Sequence, residues 1–405
     1  MKIRRSIAVG ALVTATVGAL TVGPALANLT YRSPADQSLK QLGARHDLYI
    51  GTAVNTDLLA DTSDPTYSQI ASSQFSTVTP ENVMKWEVIE PTRGTYDWSK
   101  ADAFVKFAEK NHQLIRGHVL VWHNQLPKWL TDGVTAGTIT KADVRALMKK
   151  HITDVAQHFK GKIWQWDVVN EAVSDPWETN NVIKLRDDAS KGFWYNNYGP
   201  DYIADAFRFA RAADPNALLF YNDYNIDAFG STGADDKAQF VYTLVKDLLN
   251  KGVPIDGIGS QGHLSTRYGN FDPLQIADAQ NKFASLGVAT AITEADVRSL
   301  MTDGLKAGTD NDVNTAVQAQ AANYSALMQG CLASPHCISF TVWGFDDKHN
   351  WTTTTDLGSG PGGEALAGIY DANYKPKRAF NTLKADLAFS GAPYVVDRIK
   401  QRPRR

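Results

Sequence analysis

Eight short apolar runs punctuate the chain, at residues 49–54, 77–80, 114–122, 163–170, 217–222, 257–261, 289–294 and 337–343. The stretches between them have helical periodicity, the pattern of a parallel sheet wrapped by helices. After the third run, Thr140 and Asp143 form a capping box. Val144, Leu147, Met148, Ile152, Val155 and Phe159 then share one helical face until Gly161. After the sixth run, Asp272-Pro273 opens another helix, with Leu274, Ile276, Ala277, Phe283 and Leu286 as its apolar positions before Gly287. Eight such strand–helix units predict an α/β fold, a single (β/α)8 TIM barrel with its active site at the C-terminal ends of the strands. A doubly wound open sheet is the alternative, weakened because no Gly-rich phosphate fingerprint follows the first run.

Two runs end on glutamate. Trp166-Asp167-Val168-Val169-Asn170-Glu171 closes the fourth, and Ile292-Thr293-Glu294-Ala295-Asp296 spans the end of the seventh. A carboxylate at the end of a buried strand is costly to desolvate unless it has partners. On a closed barrel both strand ends face one mouth, where a pair of carboxyls can cleave a glycosidic bond. One must donate a proton to the departing sugar oxygen, while the other stays ionised to attack the anomeric carbon. His263 ends the sixth run, and Asp296 lies two residues past Glu294. A chain Asp296–His263–Glu294 would keep Glu294 charged, making it the nucleophile. Glu171 has no comparable partner in the sequence and is read as the acid/base. Asn170 beside it suits a hydrogen bond to the sugar 2-hydroxyl.

Aromatic residues support a sugar ligand. Trp86, Trp122, Trp129, Trp343 and Trp351 all fall at or just beyond predicted strand ends, interleaved with Glu81, Asn82, Lys85, His118, Gln125 and Gln261. Flat indoles bind the apolar faces of sugar rings while polar groups take the hydroxyls. His118, His123 and His263 come from different loops with no i,i+4 pair, so neither a metal nor another cofactor is expected.

The N-terminus combines Lys2, Arg4 and Arg5 with an uncharged apolar stretch, Ile7 to Gly23, and Ala25-Leu26-Ala27. It reads as a signal peptide over 1–27 of a secreted, extracellular protein, with a retained membrane anchor as the alternative. Removing that leader takes the net charge from −2 to about −5, which argues against nucleic acid or anionic lipid as a partner. The catalytic domain is expected over 28–392, as a monomer, followed by a basic tail at 393–405. Cys331 and Cys337 are the only cysteines. In an exported chain they read as a disulfide; metal ligation is the alternative, but nearby spacings do not support it.

With these residues in hand, the chain resembles a secreted endo-1,4-β-xylanase of glycoside hydrolase family 10 from about Leu42 to Leu387. The resemblance rests on residues 79–86, Arg116 to His123, Trp166 to Glu171, Ile292 to Arg298, and Thr341 to Gly344. It implies a (β/α)8 barrel, retaining hydrolysis of β-1,4-xylan, Glu171 as acid/base and Glu294 as nucleophile. It places Glu81, Asn82 and Lys85 on the non-reducing side. His118, Trp122, Asn170, Gln261, His263, Trp343 and Trp351 would surround the sugar undergoing cleavage, and Cys331–Cys337 would match a disulfide common in the family. Alternatives are a β-1,4-glucanase or mixed specificity, and an inactive glycan-binding protein. The chain departs from the family pattern at Ala295, at Phe345-Asp346, at Thr352 to Thr355, in the Gly-rich 358–363, and in an enlarged stretch 301–315. Trp343, Trp351 and Phe345 are candidates for excluding the hydroxymethyl group that glucose carries and xylose lacks.

Overall fold

The computed structural model describes residues 33, 36–179, 182–230, 236–300, 315–354 and 364–390. The expected leader at 1–27, the tail at 393–405, the stretch 301–314 and the loop 358–363 lie outside the described residues. The described strands are β1 (Tyr49–Val54), β2 (Thr77–Pro80), β3 (Leu114–Gly117), β4 (Gln165–Asn170), β5 (Leu218–Asp223), β6 (Gly257–Ser260), β7 (His263–Ser265), β8 (Ala289–Leu300), β9 (Cys337–Val342) and β10 (Glu364–Ala365). Strands β1–β6, β8 and β9 run parallel in that order, and β9 pairs back onto β1. The eight predicted runs are the eight staves of this closed (β/α)8 barrel.

The staves are apolar because both faces are covered, one by the barrel interior and one by helices. β2, β4 and β6 are buried at every position. Large and small residues meet across neighbouring strands on both faces of the wall. A Cβ on Gly117 of β3 would lie 2.3 Å from the Trp166 ring on β4, and one on Gly257 of β6 would lie 2.1 Å from Phe220 on β5. The glycines leave the volume that the aromatic rings fill.

The outer helices begin where their caps predict. Thr140 and Asp143 form the capping box of helix Lys141–His158. Asp272 caps Pro273–Ala284 by accepting from the Leu274 N–H at 2.9 Å. Leu274 is a correction to the predicted apolar face, being 70% exposed. It sits in the first turn, whereas Ile276 one half-turn on packs against Gly330 of helix Thr315–Ala333.

Two runs end differently from the sequence reading. The run 114–122 is a strand only to Gly117; the His118–Val119 peptide is cis, and Val121 pairs again beside Val169. The last strand but one continues past Glu294 to Leu300, because β7 pairs with Asp296–Arg298 and β10 with Ser299–Leu300. A disulfide joins Cys331, near the end of helix Thr315–Ala333, to Cys337, the first residue of β9.

Candidate active site

Glu294 lies on β8, inside the barrel mouth and buried. Its Oε1 accepts from Asn222 Nδ2 at 2.7 Å and lies 3.4 Å from Arg116 Nη2. Its Oε2 lies 3.4 Å from His263 Nε2. Burial alone would raise its pKa. The His263 hydrogen bond and the positive charge of His118 and Arg116 outweigh burial and hold the carboxyl down to about 2. His263 is in turn 2.9 Å from Asp296 through Nδ1. Burial would lower the imidazole, but the Asp296 carboxylate and Glu294 push it up to about 10. Trp351 Nε1 donates to Asp296 at 2.7 Å, so the aromatic floor and this charge chain are one assembly.

Glu171 is the first residue beyond β4 and adopts a left-handed backbone, φ 55°. That conformation is uncommon for a residue with a Cβ and persists where surroundings over-determine it. Its N–H donates to the Asn222 carbonyl at 2.9 Å, and its carbonyl accepts from buried Arg186 Nε at 2.8 Å. The side chain is better supplied with donors than the sequence reading allowed. Trp122 Nε1 donates to Oε2 at 2.8 Å and Gln261 Nε2 to Oε1 at 3.1 Å. His123 Nε2 stands 3.9 Å from Oε2. Burial, helped by the nearby charges of Arg186 and Lys191, lowers His123 to about 3, so it faces Glu171 as a neutral ring.

Asn170 links the two carboxyls. Its Oδ1 accepts from Gln261 Nε2 at 3.2 Å and from Asn222 Nδ2 at 2.7 Å, and those two amides also hold Glu171 and Glu294 respectively. With its oxygen committed twice, the group Asn170 can offer a ligand is its NH2.

Both glutamates line one cleft of about 1180 Å³ across the mouth, together with Glu81, Asn82, Lys85, His118, Trp122, Gln125, Asn170, Gln261, His263, Trp343 and Trp351. Lys85 Nζ donates to Asn82 at 3.0 Å and to Gln125 at 2.5 Å, and lies 4.8 Å from the Trp122 ring centre. Burial pushes Glu81 up to about 7 against the opposing charge of Lys85. Trp343 meets His118 edge-on at 5.1 Å, and Trp351 meets His263 in the same way at 5.8 Å.

Three sequence-based placements are corrected. Trp86 is core, stacked on His151 at 3.8 Å, and Trp129 donates to the Glu90 carbonyl at 2.9 Å. Both stand behind the cleft rather than in its lining. Phe345 is buried against Tyr67, Phe75 and Tyr370, so it packs under the barrel wall and does not face a sugar.

The sequence reading missed the ion network beneath Glu294. Arg116 on β3 donates through Nε to Asp167 on β4 at 3.1 Å, through Nη2 to the same carboxylate, and through Nη1 to the Thr293 carbonyl at 2.6 Å. His118 Nδ1 lies 2.8 Å from Asp167. His118, Asp167 and Glu294 form a cluster with the spacing of cation ligands, and the Arg116 guanidinium supplies positive charge to both carboxylates. The signal was present: a charge inside a run of core residues must be paired.

A barrel mouth with one carboxyl held ionised beside a second on the same cleft, floored by indoles, defines a glycoside hydrolase. Comparisons with known proteins agree. Residues 38–386 match the Glycosyl hydrolase family 10 family. Endo-1,4-beta-xylanase B of Thermotoga neapolitana is 36% identical over 349 residues, covering 86% of this chain and 91% of that protein. Endo-1,4-beta-xylanase 1 of Humicola insolens is 35% identical over 370 residues, covering 89% and 77%. Among solved structures, xylanase 10B of Thermotoga maritima superposes with a TM-score of 0.75 at 36% identity, covering 87% of this chain and 98% of that one. Xylanase 10B of Thermotoga petrophila, solved with xylobiose, matches with the same score over 87% and 97%. The chain belongs to glycosyl hydrolase family 10.

Proposed function

We propose that this protein is an endo-1,4-β-xylanase that hydrolyses xylan and xylo-oligosaccharides with retention of anomeric configuration. The observation that carries this reading is the contrast between two carboxyls on one cleft. Glu294 is buried yet held ionised by His263, Asn222 and Arg116. Glu171 stands at the cleft surface between a tryptophan and an amide donor.

In this reading Glu294 attacks the anomeric carbon while Glu171 delivers its proton to the departing oxygen, leaving a glycosyl ester on Glu294. Esterification removes the negative charge of Glu294. Glu171 then takes a proton from water as that water attacks, and the ester breaks with a second inversion at the same carbon. The Asn170 NH2 is the donor for the sugar 2-hydroxyl, and the His263–Asp296 pair keeps Glu294 oriented. Glu81, Asn82 and Lys85 bind on the non-reducing side, with Gln125 holding Lys85; His118, Trp122, Gln261, Trp343 and Trp351 enclose the cleaved sugar. The protein acts as a secreted monomer after removal of residues 1–27, without nucleic acid or membrane as a partner. Among the described residues no helix is long and apolar enough to cross a membrane.

Hydrolysis of xylohexaose, followed by NMR of the first anomer released, tests substrate, internal cleavage and stereochemistry together. Internal cleavage with β product first is expected. An α anomer first would overturn retention, and cleavage confined to β-glucan would overturn the substrate.

A further inference from the structure

Asn170 and Glu171 are adjacent in sequence, yet both line the cleft. In a strand, neighbouring side chains point to opposite faces. The left-handed backbone at Glu171, φ 55°, breaks that alternation and turns its carboxyl to the mouth beside the Asn170 amide. A residue with a Cβ keeps such a conformation where its peptide groups are pinned on both sides. One pin is the Glu171 N–H, which donates to the Asn222 carbonyl at 2.9 Å. The other is Arg186, whose Nε donates to the Glu171 carbonyl at 2.8 Å.

The remaining guanidinium nitrogens anchor that second pin. Nη1 donates to Glu178 Oε2 at 2.6 Å, and Nη2 donates to the Tyr224 hydroxyl oxygen at 2.6 Å. Glu178 is itself tied down, since the same Oε2 accepts from the Asp175 N–H at 2.9 Å and Oε1 pairs with Lys191. Tyr224, the first residue beyond β5, donates its hydroxyl to Asp175. Lys237 Nζ lies 3.6 Å from the Tyr224 ring centre and 3.3 Å from Asp175. The main chain repeats the connection. The Arg186 N–H donates to the Ala172 carbonyl at 2.9 Å and the Ser174 N–H to the Lys184 carbonyl at 2.8 Å, with Val173 and Leu185 paired antiparallel between them. The segment leaving Glu171 thus folds back and returns Arg186 to the Glu171 carbonyl.

Arg186 is 3% exposed and stands outside the cleft lining. A buried guanidinium is tolerated where each nitrogen has an acceptor, and its planar fork serves three diverging acceptors that a single ammonium cannot.

We propose that Arg186 is a positioning residue for the acid/base, locking the Glu171 carbonyl in the left-handed turn and so aiming the carboxyl at the departing oxygen. This role rests on the reading of Glu171 as acid/base and involves no contact with substrate. Misplacing a catalytic group by about an ångström costs on the order of 10²-fold. Here the loss falls on bonds whose departing oxygen needs a proton.

Arg186→Lys, Glu178→Gln and Glu171→Ala, compared with the parent on xylohexaose and on dinitrophenyl β-xylobioside, test it, with the thermal midpoint of each variant read alongside. Dinitrophenolate departs without a proton, so kcat/KM on that substrate reports the first step free of acid catalysis. Arg186→Lys keeps the charge but not the fork. It is expected to lower kcat/KM for xylohexaose by about 10- to 100-fold and to leave the dinitrophenyl value unchanged. Glu178→Gln weakens one anchor with the guanidinium still in place; it should show a smaller loss with the same selectivity, and it carries the test if the lysine variant does not fold. An equal loss on both substrates, or a lowered midpoint with the xylohexaose rate intact, would reduce Arg186 to a structural ion pair and overturn the proposal. Glu171→Ala separates the underlying reading. If that variant also loses equally on both substrates, the acid/base assignment falls and the clamp with it. If it is selective and neither clamp variant is, the clamp alone falls.

Discussion

Each proposed catalytic carboxyl is defined by the donors around it. Glu294→Ala is expected to abolish turnover on every substrate, since no other described group replaces the attacking oxygen. Glu171→Ala should lose about 10²–10⁴-fold on xylan, yet spare the first step for aryl xylobiosides with good leaving groups. Burst kinetics on a dinitrophenyl substrate checks this, and equal damage to both substrate types would contradict the assignment. His263 acts on Glu294 through a hydrogen bond and its charge. Because that carboxyl must be ionised to attack, His263→Asn should raise its pKa and move the acidic limb of the kcat/KM profile to higher pH. The same linkage bears on stability. With His263 held near 10, its contribution is complete below the ordinary imidazole pKa and fades as pH rises toward 10. The partnership of Glu294, His263 and Asp296 was legible because all three end or follow apolar runs. Arg116 and Asn222 were not marked as site residues, because their strands say that they are buried but not which neighbour they meet.

At the scale of elements, hydrophobic spacing located all eight staves and the caps located the helices, because each answers to local chemistry. What spacing could not see is where a side chain points once strands pair. Phe345 follows a tryptophan of the cleft, yet Gly344 (φ 78°) reverses the chain and sends it beneath the wall. Trp86 and Trp129 lie near strand ends, but their indole N–H groups are spent on Glu90. The 114–122 run failed as one strand because His118 turns in to reach Asp167. Packing between staves is equally specific. Gly117→Ala would bring a methyl within 2.3 Å of Trp166, and overpacking of this kind costs about 1–3 kcal/mol. Urea unfolding should show a lowered midpoint with an unchanged slope.

For the molecule as a whole, the two ends of the barrel carry different burdens. The proposed catalytic groups gather where the strands finish, whereas the Cys331–Cys337 link sits where β9 starts. It closes a short loop, for which chain-entropy arguments give about 2 kcal/mol. Replacing both cysteines by serine should therefore lower the thermal midpoint while leaving kcat on xylan at 25 °C unchanged. A fall in kcat without a change in midpoint would contradict that separation.

The guanidinium of Arg116 leads to a different kind of conclusion. It ties β3 to Asp167 of β4 and to Thr293 and Glu294 of β8, spanning staves that are remote in sequence and lie on opposite arcs of the ring. The proposed nucleophile, Glu294, is thus suspended from a strut of the scaffold rather than mounted on a surface loop. Reactivity and architecture are thereby linked: parting those staves would take the Arg116 charge away from the proposed nucleophile.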